Sequence, residues 1–406
     1  MNLNPRPEQR LNSRDPQERA AALAALASSN GRELPEPGAN LNMHFHSFFS
    51  YNSEGYSPSR IAWESRRAGL YAAGLCDFDV LDGLEEFLAA GFQLKLRTAV
   101  SMETRVFVRE PADVDITSPG EPGVTYIMGA GFARVPPPDS AAGRGLAPFR
   151  EGARRRNVSL INRINAHLPA LAIDYPKDVL SLTPAGAPTE RHIVEAYVNK
   201  SLRMPGGGRA AAEFWAGVFK QGVEETVKLM ADRPALEERV RSKLVKRGGA
   251  GYEQPSPDTF PPVDDFIRWV LSCEAIPMIT WLDGTSAGEK NCRALLESMV
   301  ARGAAALNIV PDRNWNVAQP EERRLKQANL MEVVTLAGLL GLPINIGTEM
   351  NKSGLPFVDD LAGEALRPHR EAFQSGARIM AGHTLLSRFA GFSYVGAAAA
   401  AQFFDV

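Results

Sequence analysis

The chain has 406 residues, of which 44% are hydrophobic and 23% are charged, and its formal net charge is −2. This composition is typical of a globular protein with a sizeable core, and the charge supplies no overall basic field for nucleic acid. No apolar run is long enough to span a bilayer, the first residues lack the apolar segment of a signal peptide, and the cysteines form no Cys-x-x-Cys pair. We therefore expect a cytoplasmic protein whose partner is a small molecule rather than nucleic acid or a membrane.

The first part of the chain alternates strands with helices. Residues 1–39 form an N-terminal appendage, in which a short Ala-rich helix at 17–28 precedes a linker that contains Pro and Gly. Over 40–135 the hydrophobic pattern then predicts strands at 41–47, 70–76 and 94–108 and helices at 58–68 and 82–90. This order of strand and helix favours a largely parallel sheet.

The second part of the chain interrupts this alternation and then resumes it. Residues 136–260 are rich in Arg and Ala, with helical periodicity over 188–204 and 210–247, and we interpret them as a mostly helical insertion. Residues 261–406 return to the earlier pattern and end in a C-terminal tail. Their predicted elements are strands at 275–281, 305–310 and 343–347 and helices at 287–302 and 320–340. The sheet therefore brackets the insertion.

Two histidines lie two residues apart near the end of the first predicted strand. His44 and His46 occur in the segment Asn-Met-His-Phe-His, and the chain holds only six histidines. Side chains two apart on a strand point to the same face, so both imidazoles can converge on one ion at the carboxyl end of the strand. A pair of histidines that only hydrogen-bonds to the backbone is the alternative.

Several motifs from this strand onward carry a resemblance to a known family. They are Asn42-Met43-His44-Phe45-His46, Cys76-Asp77-Phe78-Asp79, Leu81-Asp82-Gly83-Leu84 and Val100-Ser101-Met102-Glu103. Over residues 40–108 the chain resembles the opening of a PHP (polymerase and histidinol phosphatase) domain. The resemblance implies an α/β fold, a distorted (β/α)7 TIM-like barrel that binds up to three metal ions and, in many members, hydrolyses phosphate esters.

The resemblance also implies the ligands of the metal. His44 and His46 match the family's first pair of ligands, and Glu103 matches its bridging carboxylate. Glu349 lies in a segment that looks like the late ligand motif of the family. Other ligand positions depart from the pattern, for example where Phe78 replaces a histidine, so a trinuclear site of the family's kind cannot form. The retained donors suffice for one ion with an open coordination position, and we expect one or two divalent ions of zinc, manganese or iron.

Three predicted acid/base residues lie at expected strand ends. Asp77 and Asp79 follow the second strand, and His383 follows a short apolar segment that we interpret as a further strand. Active groups of a barrel gather on the loops at the carboxyl ends of its strands, so we expect these three to be the catalytic residues that transfer protons. Helix capping by the two aspartates and a structural role for the histidine remain open.

The substrate-binding residues are expected at the same rim of the barrel. They are Arg313, Lys352, Asn351 and Trp281. Arg offers a planar fork and Lys a point charge, so these side chains suit a small anionic substrate. Surface ion pairing is the alternative for the two cations, and an exposed loop acid is the alternative for Glu349.

Three functions remain open from the sequence. The leading hypothesis is a metal-dependent hydrolase of PHP type, which acts on a small phosphate ester through a metal-activated water. A second hypothesis keeps the barrel but hydrolyses or isomerises a carbon-based substrate such as a sugar acid. A third is a pseudoenzyme that binds a small molecule without catalysis.

Overall fold

The computed structural model describes residues 6–28, 34–397 and 399, so the predicted appendage lies partly outside the described residues. The described residues fall into two compact units, one made of the chain up to Phe149 and from Ser256 onward, the other of Arg150–Pro255. None of the helices in the described part of the chain is long and apolar enough to cross a membrane. The helices are α1 (Pro7–Arg10), α2 (Pro16–Ser28), α3 (Pro58–Arg67), α4 (Leu84–Leu94), α5 (Ala141–His167), α6 (Glu190–Leu202), α7 (Gly207–Phe219), α8 (Val223–Met230), α9 (Arg233–Leu244), α10 (Val263–Ser272), α11 (Cys292–Ala301), α12 (Asp312–Trp315), α13 (Pro320–Leu339) and α14 (Arg370–Ala390).

Among the described residues, seven strands form the sheet of the first unit. They are β1 (Asn42–Phe45), β2 (Ala72–Phe78), β3 (Arg97–Phe107), β4 (Val124–Ala130), β5 (Ile276–Trp281), β6 (Ala306–Ile309) and β7 (Ile344–Ile346). The strands neighbour one another in chain order, and all neighbouring pairs are parallel except those of β4, which runs antiparallel to both β3 and β5. The mixed α/β architecture with a barrel-like sheet confirms the predicted fold class at this level, and the exact (β/α)7 type remains a prediction.

The sheet nearly closes on itself, because the segment after β7 lies beside β1. The backbone N–H of His46 donates to the carbonyl of Glu349 over 2.9 Å, and the N–H of Glu349 donates to the carbonyl of His44 over 2.8 Å. Gly347 permits this approach, since a Cβ there would lie 2.5 Å from the backbone nitrogen of His44. The carboxyl ends of the first and last strands therefore meet at one place.

Local sequence explains how the strands and helices of this unit are placed. All residues of β2 except the last are buried, as expected for a parallel strand that is covered on both faces. Helix α3 begins at Pro58, and Ser57 caps it by accepting the backbone N–H of Arg60 over 3.0 Å. Helix α14 approaches β7 closely at Gly376, where a Cβ would lie 1.9 Å from the carbonyl oxygen of Ile344.

The second unit, Arg150–Pro255, is helical and has a hydrophobic core of its own. Residues 210–247, which showed continuous helical periodicity in the sequence, are divided into α7, α8 and α9. One break falls at Gly222, which precedes α8. The other falls at Asp232, whose carboxylate accepts a backbone N–H in the first turn of α9. The boundaries 136–260 of the insertion remain a prediction.

Candidate metal centre

Four buried side chains gather where β1 meets the segment after β7. His44 lies on β1, His46 lies just beyond it, Glu103 lies on β3 and Glu349 follows β7. One ligand atom from each residue lies within 4.8 Å of those of the other three. Their exposed fractions are 0, 0, 1 and 7%. The structure thus brings together the four residues predicted as metal ligands, and their role as ligands remains a prediction.

The spacing of these atoms suits an ion between them. The Nε2 atoms of His44 and His46 lie 3.5 and 3.4 Å from Oε2 of Glu103. None of these three buried atoms has a hydrogen-bond partner among the residues that the structure describes. A charged N–H···O hydrogen bond measures about 2.7–2.9 Å, whereas the edge of a tetrahedral site with metal–nitrogen bonds of about 2.1 Å measures about 3.4 Å. The residues therefore fit a divalent cation, and imidazole with carboxylate suits zinc, manganese or iron.

Electrostatic interactions within the group favour the ligating form of Glu103. Burial raises the pKa of this carboxyl, but the adjacent His44 and His46 rings lower it, and the net pKa is about 2. Burial lowers the pKa of His44, and the interaction with Glu103 more than offsets this effect, so that the net pKa of His44 is raised. A carboxylate anion therefore lies beside two imidazoles throughout the neutral pH range.

The two imidazole rings are held by contacts on their other sides. Nδ1 of His44 lies 3.4 Å from Nδ2 of Asn308, and Nδ1 of His46 lies 3.3 Å from Oγ of Ser50. The His46 ring also stacks on Phe78, with ring centroids 4.3 Å apart. Sequence reasoning missed the supporting roles of Asn308 and Ser50. It identified Phe78 only as a lost ligand, and no local pattern marked the other two.

The carboxylates of Asp77 and Asp79 are engaged by neighbouring residues. Asp77 is buried, which raises its pKa, and it accepts hydrogen bonds from Ser47 N–H and Ser47 Oγ, each over 2.7 Å, and from Ser50 Oγ over 2.6 Å. It thereby holds the loop that follows β1. Asp79 accepts a hydrogen bond from Thr104 Oγ1 over 2.5 Å. Neither aspartate is part of the group of four.

The interpretation of the segment before His383 as a strand is wrong. His383 lies within helix α14, and its Nδ1 accepts the backbone N–H of Tyr394 over 3.0 Å. Burial lowers its pKa to about 4. Of the apolar residues 379–381, Met380 and Ala381 belong to the buried face of this helix, and a short apolar run cannot be assigned to strand or helix by periodicity alone. The structure does not bring His383 into the group.

The four predicted substrate-binding residues have different environments. Nη2 of Arg313 lies 3.6 Å from Oε2 of Glu349, and the Arg313 side chain is 44% exposed. Trp281 is completely buried in the core of the unit. Asn351 is half-buried and Lys352 is exposed in the segment that follows Glu349. Of the four, Arg313 is the residue seen in contact with the group.

Two solved structures are similar to this chain in fold. One is a protein from Bifidobacterium adolescentis assigned provisionally as a metal-dependent phosphoesterase, with 18% identity, a TM-score of 0.50, and coverage of 83% of this chain and 98% of that chain. The other is an amidohydrolase from Chromobacterium violaceum, with bound sulfate and no metal, which shares 17% identity with a TM-score of 0.53 and coverage of 82% and 95%. No protein-family model and no curated protein matches the chain. The comparisons show the fold, and membership of the PHP family remains a prediction.

Proposed function

We propose that this protein is a metal-dependent hydrolase of PHP type that acts on a small phosphate ester. The observation that carries the proposal is the group of four buried ligand side chains, in which three polar atoms have no hydrogen-bond partner within the described chain. Leaving such atoms unpaired is costly, and a bound cation would remove that cost. The similar folds of a provisional metal-dependent phosphoesterase and of an amidohydrolase support this class of chemistry.

The residues of the group would hold one or two divalent ions. These residues are His44, His46, Glu103 and Glu349. When bound, such an ion polarises a phosphoryl or carbonyl oxygen and lowers the pKa of a water molecule towards neutrality. The chain itself contributes a buried set of donors in which Glu103 is already ionised, so this residue loses no proton when a cation binds.

Residues beside the group would bind the anion and transfer protons. Arg313 is exposed to solvent and also contacts Glu349, so its guanidinium can hold a phosphate next to the ligands. Lys352, which is exposed after Glu349, would add a second positive charge. Asp79 is the acid/base candidate that we retain, because it is half-buried and its backbone lies beside that of Glu103, with its N–H donating to the Glu103 carbonyl over 2.9 Å.

Hydrolysis of a carbon-based substrate is the second candidate, and the amidohydrolase among the similar folds favours it. That protein binds sulfate, which is a tetrahedral oxyanion like phosphate, so the likeness is compatible with either substrate class. Arg313 separates the two. For a phosphate ester, Arg313→Ala should raise KM by about tenfold or more while Arg313→Lys raises it less. For an uncharged lactone or amide, both variants should behave like the wild type.

The deciding experiment measures metal content and turnover together. Protein purified without chelator is analysed for metal and assayed with phosphomonoesters, phosphodiesters, lactones and amides. We compare the wild type with His44→Ala and with His167→Ala, a control at an exposed histidine outside the group. Phosphoesterase activity that chelation and His44→Ala abolish, and His167→Ala leaves intact, supports the proposal. A metal stoichiometry well below one, in a protein that also fails to bind added ions, would falsify it.

A further inference from the structure

The hydrogen bonds behind His46 determine which of its ring nitrogens carries the proton. The hydroxyl of Ser50 has one hydrogen, and it donates that hydrogen to Oδ1 of Asp77 over 2.6 Å. Oγ of Ser50 therefore faces Nδ1 of His46, 3.3 Å away, as an acceptor. A neutral His46 then carries its proton on Nδ1. Its Nε2 presents a lone pair towards Glu103, which is the form that a metal ligand requires.

The hydrogen bonds behind His44 impose the opposite arrangement. Nδ2 of Asn345 donates to the backbone carbonyl of Met43 over 3.3 Å and to Oδ1 of Asn308 over 2.9 Å. The backbone carbonyl can only accept, so it fixes the orientation of the Asn345 amide, and this amide in turn fixes that of Asn308. Nδ2 of Asn308 therefore faces Nδ1 of His44, 3.4 Å away, and can only donate to it. A neutral His44 then carries its proton on Nε2, the nitrogen that faces Glu103.

We propose that the two imidazoles are held in opposite tautomers in the metal-free protein, with Ser50 and Asn308 as the positioning residues. His46 is then ready to ligate, whereas His44 becomes a ligand only when the Asn308 amide reverses and accepts an N–H from Nδ1. Reversal breaks the hydrogen bond between Asn345 and Asn308. These two hydrogen-bonded side-chain amides, which we call the amide chain, therefore weaken His44 as a ligand. The effect on metal affinity rests on the proposed function, because it requires a metal site. The two tautomers do not depend on it.

The register of the sheet explains why the amide chain reaches His44. Asn308 and Asn345 are paired neighbours on the parallel strands β6 and β7, so their side chains lie on the same face. Both are buried, with exposed fractions of 0 and 2%. Buried amides can satisfy their donors and acceptors only within the protein, which makes the orientation of each amide depend on the next.

The test is nitrogen NMR of the chelator-treated full chain with ¹⁵N-labelled histidine, at a pH above the titration range of imidazole. We expect the His46 signals of an Nδ1–H ring and the His44 signals of an Nε2–H ring, assigned by their loss in His46→Gln and His44→Gln. Two rings of the same tautomer would overturn the proposal. This measurement on the wild type needs no variant at a positioning residue, so a variant that fails to fold does not remove the test.

Two variants then test the positioning residues with zinc as the probe. In Asn308→Asp the carboxylate can accept from both His44 Nδ1 and Asn345, so His44 should change to the Nδ1–H form and zinc affinity should rise about tenfold or more. Ser50→Ala removes the acceptor of His46, so zinc affinity should fall by about 10–100-fold. If His44 keeps its Nε2–H form in Asn308→Asp, the proposal is overturned. Opposite tautomers in a protein that binds no ion would uphold it and reject the proposed function.

Discussion

Replacing Glu103 by Gln removes the charge beside two imidazoles and leaves the side-chain volume almost unchanged. The folded protein shifts the pKa of this carboxyl from 4.5 to about 2. One pKa unit corresponds to about 1.4 kcal/mol, so the carboxylate stabilises the metal-free fold by at most about 3–4 kcal/mol. The same interaction raises the pKa of His44, so the two shifts describe one shared free energy and are not added.

The stabilisation depends on pH in a defined direction. The pKa of Glu103 is lower in the folded state, so its contribution is complete above about pH 4.5 and is lost as the pH falls towards 2. The pKa of His44 is higher in the folded state, so its contribution is complete below about pH 6.5 and is lost as the pH rises through the raised value. The interaction therefore stabilises the metal-free protein most between these two values.

The assay is urea unfolding in the presence of chelator, followed by circular dichroism. Glu103→Gln should lower the free energy of unfolding by at most about 3–4 kcal/mol at about pH 5.5 and by less at about pH 9. The matched control is Glu54→Gln, at an exposed loop position, which should change stability by less than about 0.5 kcal/mol at either pH. A loss that does not vary with pH, or a more stable variant at pH 5.5, would refute the reasoning.

Three further predictions concern the closure of the barrel, a second buried acid and the ion. In Gly347→Ala the new Cβ would lie 2.3 Å from Oδ1 of Asn42 and 2.5 Å from the backbone nitrogen of His44. Thermal unfolding should therefore show a loss of about 1–3 kcal/mol in the free energy of unfolding. Unchanged stability would contradict the close approach. Burial raises the pKa of Asp359 to about 7, because the folded protein disfavours the charged carboxylate. The folded protein therefore loses stability as the pH rises and Asp359 ionises. The amide oxygen in Asp359→Asn can still accept the indole N–H of Trp315. The advantage of this variant in urea unfolding should therefore grow from nearly zero at about pH 4 to at most about 4–5 kcal/mol above pH 7, and a constant difference would be inconsistent with this. Zinc at about 100 times its Kd should stabilise the wild type by about 2.7 kcal/mol in a thermal shift assay, and chelator should reverse the effect; no shift with zinc, manganese or iron would argue against the site.

Most of the regular elements could be predicted because their sequence signals are local. The strand that contains His44 and the helix that begins at Pro58 both occur where the hydrophobic pattern and the Ser-Pro helix start place them. Strand β4 was not predicted. Its antiparallel direction could not have been predicted either, because neither the hydrophobic period nor the composition of a segment indicates the direction of a strand. The helix around His383 was misassigned because three consecutive apolar residues fit both periods.

The group of four was accessible from the sequence, whereas the residues that support it were not. His44 and His46 form a pattern within three residues, and the resemblance to a known family supplied Glu103 and Glu349. Asn308 lies 264 residues along the chain from His44, and its contact depends on the register between β6 and β7 and on the closure of the sheet. Such a contact leaves no mark on the local sequence.

The junction between the first and last strands has a mechanical consequence. Both backbone hydrogen bonds described there belong to Glu349, which also directs its carboxylate towards the two imidazoles of the opposite strand segment. A cation bound by residues of both segments would cross-link the first strand to the last and would keep the barrel closed. Exchange of the amide hydrogens of His46 and Glu349 with deuterium would then follow occupancy by the cation rather than global unfolding. Glu349 would then have two roles, because its backbone closes the barrel and its carboxylate would ligate the cation.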